Sequence, residues 1–385
     1  MQAPRLGDYL GSGNARMKAI VPTRASLVML SLLLTVGISA AGQNSVSTQI
    51  NTEIARLKQV AKDSPIADKD AAPIEKMAVD SLEAASAALS SGQTYLALEK
   101  LGQAEDLLQA ARGADDKKAV ETGGLPAFQS QWNKVSLRLT ALDKDTHSRQ
   151  WANTPLAVRA LAESAQGKAI PLLEGGQGFA VATKPTDGLL YLGEAQGEAD
   201  FAAFLAGLTF TDAKTPFPLR SLLPEVQALQ VKTNAAFHPP KSIELHARFI
   251  ALNSQLKLAQ ELDATKFYAG ALYAYLEAVR HYGMLSAPPL EADQQAMVKE
   301  DIAAQRKRLN SSSSDDSLAQ LFLQRAESYI THPDGSAPSA DEWRGARVVL
   351  DQVLPAYFAA KKPATAVATA TGKTVEVTLV RWPYT

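Results

Sequence analysis

Apolar residues in the stretch 241–282 recur at the spacing of an α-helix, twice in succession. The first set, three or four residues apart, is Leu245, Phe249, Leu252, Leu256, Ala259 and Leu262. The second set is Tyr268, Ala271, Leu272, Tyr275, Ala278, Val279 and Tyr282. Each set forms one face of a helix. The sequence therefore predicts two antiparallel amphipathic helices with facing stripes, with Thr265 capping the second helix and Gly283 ending it.

The small residues in these stripes resemble those of a tetratricopeptide (TPR) repeat. In residues 255–282 the resemblance is carried by Leu258, Ala259, Leu262, Ala271, Tyr275 and Ala278. A second unit covers residues 81–108 and is carried by Ala84, Ala85, Ala97, Leu101 and Ala104. The resemblance implies stacked helical hairpins with an extended surface for peptides or partner proteins. The alternative is a set of ordinary helical hairpins in an irregular bundle.

Helical spacing continues through most of the chain before residue 362. The further predicted helices span residues 45–62, 71–91, 95–112, 126–142, 156–173, 188–208, 219–237, 290–309, 318–330 and 341–361. Alanine is frequent and strand-forming residues are scarce there, which favours helix. A Gly-rich break is predicted at 175–178, and the loop 310–316 is predicted to cap the helix after it. The expected fold class is all-α, as a TPR-like α-solenoid or an irregular helical bundle.

The C-terminal tail, residues 362–385, has a different pattern. Residues 365–371 and 374–382 flank Gly372 and Lys373 and predict a small β-hairpin. Val375, Val377 and Leu379 share one face of the second strand and are candidate partner-binding residues. Because a lone hairpin is marginal in water, the tail must cover the helices or pair with a strand of a partner.

The first 41 residues predict a secretory signal peptide. Four basic residues precede the uncharged apolar run 25–41, which ends in small residues at Ala41. An exported protein, periplasmic or secreted, would then have no stable membrane span after cleavage. The alternative is an uncleaved N-terminal anchor. Met17 offers a more ordinary signal-peptide start than Met1, so either methionine could be the true start.

Composition shifts divide the rest of the chain into regions. Residues 42–113 form a predicted N-terminal helical hairpin region. The polar, Gly-containing segment 114–125 is the predicted linker, and residues 126–361 form the main helical domain.

Charge and cysteine content narrow the function classes. The chain has no cysteine, which excludes disulfides, thiolate metal sites and a cysteine nucleophile. Its 39 basic and 40 acidic residues are spread along the chain without a basic stripe. This pattern indicates neither a nucleic-acid partner nor an anionic membrane surface.

No motif predicts a catalytic, cofactor or metal site. Glu277 and His281 stand four residues apart, with Glu244 and His246 nearby, and a metal site there is one hypothesis. The other is a solvated Glu–His contact on a helix surface. Gly372 and Lys373 resemble the end of a phosphate loop, but they precede a strand and fit a hairpin turn better. An unrecognised enzyme stays open as an alternative, because triads and carboxylate pairs are assembled in space.

The favoured function is a non-catalytic exported scaffold that binds a protein or peptide partner. Tyr273 lies off the main apolar stripe of its helix, so it is predicted to be exposed and to contact a partner, whereas Tyr268 and Tyr275 are predicted to face the core. The alternative function is an apolar-ligand or lipid-binding helical bundle. The sequence identifies neither the partner nor the oligomeric state.

Overall fold

A computed structural model describes residues 45–149, 151, 153–211, 214–237, 245–332 and 335–362. In these ranges every secondary-structure element longer than a single bridge is a helix, which confirms the all-α prediction. The helices are α1 Val46–Asp63, α2 Ala72–Ser90, α3 Thr94–Arg112, α4 Lys117–Ser148, α5 Leu156–Ala182, α6 Leu189–Gly207, α7 Leu223–Ala236, α8 His246–Ala264, α9 Tyr268–Ser286, α10 Ala292–Asn310, α11 Ser317–Ile330, α12 Ala340–Val348 and α13 Leu354–Ala360. A single turn of π-helix, Val349–Val353, joins the last two.

Three helical hairpins form the centre of the fold. They are α2 with α3, α5 with α6, and α8 with α9, and the members of each pair pack extensively on each other. Helix α3 also packs on α6, and α5 packs on α9. The resulting order of neighbours is α2, α3, α6, α5, α9, α8, so the two hairpins singled out from the sequence are separated by the third.

The central hairpin forms at the predicted stripes. Leu252, Leu256, Ala259 and Leu262 of α8 are buried, as are Ala271, Leu272, Ala278 and Val279 of α9. The turn differs from the prediction, because Thr265 is the C-cap of α8 and Phe267 is the N-cap of α9, with Lys266 between them at a φ of 66°. Gly283 does not end α9, which continues to Ser286. It lies inside the helix and packs closely against Val348.

The predicted linker at 114–125 is helical in the structure. A 3₁₀ turn at Gly113–Asp116 leads directly into α4, and Val120 is buried. Gly124 has φ of 60°, so it introduces a kink within the helical run. The regions on either side of this segment therefore belong to one compact unit that begins at Ser45.

The predicted break at 175–178 is also wrong, since α5 runs through it to Ala182. A Cβ atom added at Gly176 would lie 3.0 Å from the Gly188 carbonyl oxygen. The missing side chain at Gly176 therefore lets the 3₁₀ turn before α6 approach α5, so this glycine serves packing between helices.

Glycines also bring α3 and α6 together. Gly193 and Gly197 lie one turn apart on α6 and face the backbone of α3. A Cβ atom at Gly193 would overlap the carbonyl group of Gln109, and one at Gly197 would lie 2.6 Å from the Asp106 Cα. Backbone cannot move aside as a flexible side chain can, so this approach depends on glycine.

Gly193→Val should lower the free energy of unfolding by about 1–3 kcal/mol, because the added methyl groups force α3 and α6 apart. Urea unfolding followed by circular dichroism measures the change. The matched control is Gly178→Ala in the interior of α5, where an added Cβ meets nothing within 4 Å. It should be neutral or stabilising by up to about 1 kcal/mol. Equal stabilities of the Gly193 variant and the wild type would contradict this packing.

Two of the sequence predictions fall outside the described residues. These are the signal peptide at residues 1–41 and the β-hairpin of the tail with Val375, Val377 and Leu379. In the part of the chain that the structure describes, no helix has both the length and the apolar character that crossing a membrane requires.

Candidate functional site

A long groove crosses the surface where loops and helix ends from distant parts of the chain meet. It consists of two depressions of about 340 and 1080 Å³ that share four lining residues, Val46, Tyr95, Phe210 and Gln320. Four aromatic side chains line it, namely Tyr95, Trp151, Phe210 and Phe217. We call this surface the aromatic groove.

Two loops that are far apart in the sequence are joined to form one wall of the groove. The backbone N–H of Thr215 donates to the Ser313 carbonyl oxygen at 3.2 Å, and the N–H of Asp315 donates to the Thr215 carbonyl oxygen at 2.8 Å. These bonds hold the segment that carries Phe210 and Phe217 against the loop before α11.

Asp315 fixes two helix starts at the bottom of the groove. Its Oδ2 accepts from the backbone N–H of Leu156 at 2.6 Å, at the beginning of α5. Its Oδ1 accepts from the N–H and the hydroxyl of Ser317, at 3.1 and 2.6 Å, at the beginning of α11. A carboxylate at a helix N-terminus satisfies free N–H groups and complements the helix dipole. Burial, and then the charge of Asp315, raise the pKa of the nearby Tyr95 to about 12.

Trp151 is held in place by two arginines. The guanidinium carbons of Arg149 and Arg159 lie 5.6 and 5.8 Å from its ring centroid, within cation–π range. Arg159 is fixed in turn by Glu163, with 2.7 Å between Nε and Oε1. The half-buried ring of Trp151 lines the groove.

The charged side chains that line the groove are mostly basic. The basic ones are Lys100, Arg159, Lys214 and Arg306, and the acidic ones are Asp315 and Glu327. Arg306 is paired with Glu327, and the Asp315 carboxylate is occupied by Leu156 and Ser317. Lys214 has no ion-pair partner among the described residues, so the groove presents a net positive charge to a ligand.

A second constellation is buried where α3, α9 and α11 meet. Arg325, 9% exposed, pairs with both Glu99 and Glu277. The Tyr273 hydroxyl donates to Glu99 Oε1 at 2.7 Å, and Arg280 Nε lies 3.0 Å from Glu277 Oε2. We call these five residues the arginine cluster.

Opposite charges dominate the electrostatics of the arginine cluster. Burial alone would raise the pKa of Glu277, but Arg325 and Arg280 outweigh it and lower that pKa to about 2. Burial would lower the pKa of Arg325, yet Glu277 and Glu99 raise it well above its ordinary value. The cluster is therefore a set of mutually satisfied charges that ties three helices together.

The structure corrects the prediction for Tyr273. This side chain is only 7% exposed and belongs to the arginine cluster, so it is not a surface contact for a partner. Tyr268 and Tyr275, which were predicted to face the core, are half-buried. The reason is that α9 lies between α8 and α5 and also touches α12 and the π-helix turn. A single apolar stripe indicates one packed face and cannot show the second.

The structure gives Glu277 and His281 other partners than a metal ion. The Glu277 carboxylate is held by Arg325 and Arg280, and His281 Nε2 lies 3.2 Å from Arg280 Nη2. Burial and then the charge of Arg280 lower the pKa of His281 to about 4. Within the described residues, no group of three or more histidine, aspartate or glutamate side chains has a metal-binding arrangement.

A polar cavity of about 340 Å³ lies beside the arginine cluster, between α3, α5, α6, α9 and α11. Asp106, Ser164, Lys168 and Glu198 line it, together with Phe201 and Tyr329. Lys168 Nζ lies 3.1 Å from Glu198 Oε1. We call this cavity the polar cleft.

Sequence reasoning missed the polar cleft and the arginine cluster. Most of their charged residues have partners on other helices, so the spacing along one helix does not reveal them. The available signal was a charge inside an apolar stretch, such as Arg325 in the run Leu321, Phe322, Leu323 and Ala326.

Comparisons of this chain with protein-family models, with curated proteins and with solved structures each found no match. The geometry of the aromatic groove and of the polar cleft is therefore the basis for the function.

Proposed function

We propose that this protein is a non-catalytic, exported helical scaffold whose aromatic groove binds an extended peptide segment of a partner protein. The observation that carries the proposal is the continuous groove with its four aromatic side chains. Tyrosine and tryptophan are enriched where proteins bind partners, because each offers a large rigid surface and a polar edge.

The shape and lining of the groove favour a peptide over a compact apolar ligand. The two depressions run into each other, which suits a chain that rises about 3.3 Å per residue. Polar side chains, including Asn153, Thr154, Gln320 and Gln324, line the groove together with the aromatic ones and can bond to a peptide backbone. A lipid-binding bundle, the alternative function, would instead need an enclosed and mainly apolar cavity.

The excess of basic side chains specifies the charge of the peptide. Lys100 and Lys214 would attract acidic residues that flank apolar anchors. We therefore propose a partner segment in which aromatic or aliphatic residues alternate with aspartate or glutamate.

The finer parts of the proposal come from the sequence. The TPR-like hairpins, residues 81–108 and 255–282, fit a scaffold role, and residues 90–96 of the first line the larger depression. The pattern at residues 25–41 supports export.

The tail follows Lys362, and Lys361 Nζ lies 6.0 Å from the ring centroid of Phe217 in the groove. The tail strand with Val375, Val377 and Leu379 is thus proposed as a second partner contact or as cover for the helices.

A phage-displayed library of random dodecapeptides tests the groove with purified protein that begins at Gly42. Peptides with apolar residues between acidic ones should be enriched. The double variant Trp151→Ala with Phe210→Ala should weaken binding of an enriched peptide about 30-fold or more, since truncating anchor residues costs about 2 kcal/mol. Fluorescence anisotropy of the labelled peptide measures this affinity.

The matched control is Val231→Ala on α7, a residue that is 68% exposed and does not line the groove. It should bind the peptide as the wild type does. Lys214→Glu should select against acidic peptides and reduce the salt dependence of binding. The proposal is wrong if no peptide family is enriched, or if the double variant binds the enriched peptide unchanged.

A further inference from the structure

Two buried polar atoms that line the polar cleft have no hydrogen-bond partner among the described residues. One is Oδ1 of Asp106, and the other is Oγ of Ser164, a residue that is only 2% exposed. A buried polar atom without a partner costs about 1–3 kcal/mol. Two of them in one cavity of about 340 Å³, a size typical of small-molecule sites, indicate a ligand that can satisfy both.

Both atoms can accept a hydrogen bond, and the Asp106 carboxylate can only accept. A ligand with several N–H groups can therefore serve both at once. Phe201, Tyr273 and Tyr329 also line the cleft, and the faces of aromatic rings attract cations.

Three cations line the cleft, and two of them pair with carboxylates other than Asp106, whereas Lys100 Nζ donates to the amide oxygen of Gln103 at 3.3 Å. Lys168 pairs with Glu198, and Arg325 pairs with Glu99 and Glu277. Asp106 thus has no ion-pair partner of its own among the described residues. Burial, followed by the charge of Glu198 and then a hydrogen bond between the two carboxyl groups, raises the pKa of Asp106 well above its ordinary value. In the absence of a cation, a proton neutralises the Asp106 carboxylate, and a ligand cation can displace that proton.

The titratable and charged groups around Asp106 come from every helix that lines the cleft. They are Glu99 and Lys100 of α3, Lys168 of α5, Glu194 and Glu198 of α6, Tyr273 of α9, and Arg325 and Tyr329 of α11. Lys168 lowers the pKa of Asp106, whereas Glu198 and Glu194 raise it. The balance leaves room for one further positive charge.

We propose that the polar cleft binds a small primary amine in its ammonium form, which donates hydrogen bonds to Asp106 Oδ1 and Ser164 Oγ. The polar cleft shares Lys100 and Ser328 with the lining of the aromatic groove, but amine binding at Asp106 and Ser164 does not depend on whether the groove binds a peptide.

Isothermal titration calorimetry with three probes of equal length tests the proposal: butylamine, butan-1-ol and butyrate. Butylamine should bind at millimolar concentrations or below, and the alcohol and the acid should not. Binding should tighten as the pH rises, because the amine and the proton compete for Asp106. At acidic pH binding should release a proton, which appears as a dependence of the measured heat on the ionisation enthalpy of the buffer.

Asp106→Asn separates ligand binding from folding, because asparagine resembles the protonated acid and should preserve the fold. This variant should bind butylamine at least about tenfold more weakly and should release no proton. Ser164→Ala should show a smaller loss of affinity. The control is Asp80→Asn, an exposed residue of α2 whose carboxylate pairs with Lys76, and it should bind as the wild type does.

Three outcomes would overturn the proposal. One is no binding of butylamine by the folded wild type. Another is equal or tighter binding of butyrate or butan-1-ol, which would make the cleft an anion site or an uncharged one. The third is unchanged amine binding by the folded Asp106→Asn variant, which would place the amine elsewhere.

Discussion

Replacing Arg325 by methionine should lower the free energy of unfolding at neutral pH by about 3–5 kcal/mol. The residue is 9% exposed and neutralises two carboxylates, Glu99 and Glu277, at the junction of α3, α9 and α11. Methionine fills a similar volume, so the loss comes from the buried carboxylates that are left without this partner. Urea unfolding monitored by circular dichroism gives the value.

The pH dependence of stability tests whether the unpaired carboxylates cause the loss of stability in the Arg325→Met variant. In the folded wild type the pKa of Glu277 is lowered to about 2 from an ordinary value of 4.5. A lowered pKa adds stability that is fully present above the ordinary value and is lost as the pH falls towards the folded value. Without Arg325, burial acts on Glu277 with less opposition, so its pKa rises. The deficit of the variant should therefore shrink on acidification below about pH 4.

Lys76→Met is the matched control, because it breaks an ion pair on the surface. Lys76 Nζ lies 2.9 Å from Asp80 Oδ2, and the two side chains are 77% and 58% exposed. Exposed pairs are screened by water and salt, so the free energy of unfolding should hardly change. An Arg325→Met variant as stable as this control would show that the arginine cluster is open to solvent.

Leu262→Asp should lower the free energy of unfolding by several kcal/mol, on the order of 3–5. Leu262 is 1% exposed, and its side chain packs against Gly167 of α5 where the central hairpin meets that helix. The substitution removes this packing and also buries a carboxylate that has no cation beside it. A melting temperature equal to that of the wild type would show that this face of α8 is exposed to water.

Two comparisons separate the lost packing from the buried charge. Leu262→Asn keeps the polarity without the charge, so the Asp variant alone should recover stability as the pH falls through the raised pKa of its new carboxyl. Ile250→Asp lies on the same helix but at a position that is 52% exposed. It should leave the melting temperature nearly unchanged.

Many of the helices were predictable because apolar residues recur in them at helical spacing. The stripe of Leu252, Leu256 and Leu262 is enough to predict α8 and its buried face. Glycines led to the prediction of a linker at 114–125 and of a break at 175–178, and both segments are helical. The usual role of glycine is to break helices, but at Gly176 the lack of a side chain lets neighbouring elements approach.

The arginine cluster and the polar cleft could not be predicted, since their residues meet only after the helices pack. Arg325 and Glu99 are 226 positions apart, and Gly193 and Gly197 bring α6 close to Asp106 across a similar tertiary contact. The aromatic groove likewise depends on the bridge between Thr215 and Ser314, two loop residues with no periodic signal. Periodicity describes one helix at a time and contains no information on which helices become neighbours.

The double role of Asp315 has a consequence for the kinetics of recognition. One carboxylate fixes the first residues of both α5 and α11, so the floor of the aromatic groove cannot fluctuate as two independent parts. If the groove binds a ligand as proposed, the protein should lose little conformational entropy on binding, because these two helix starts are already fixed. Association at this surface should then be limited by diffusion and orientation rather than by a slow rearrangement of the host.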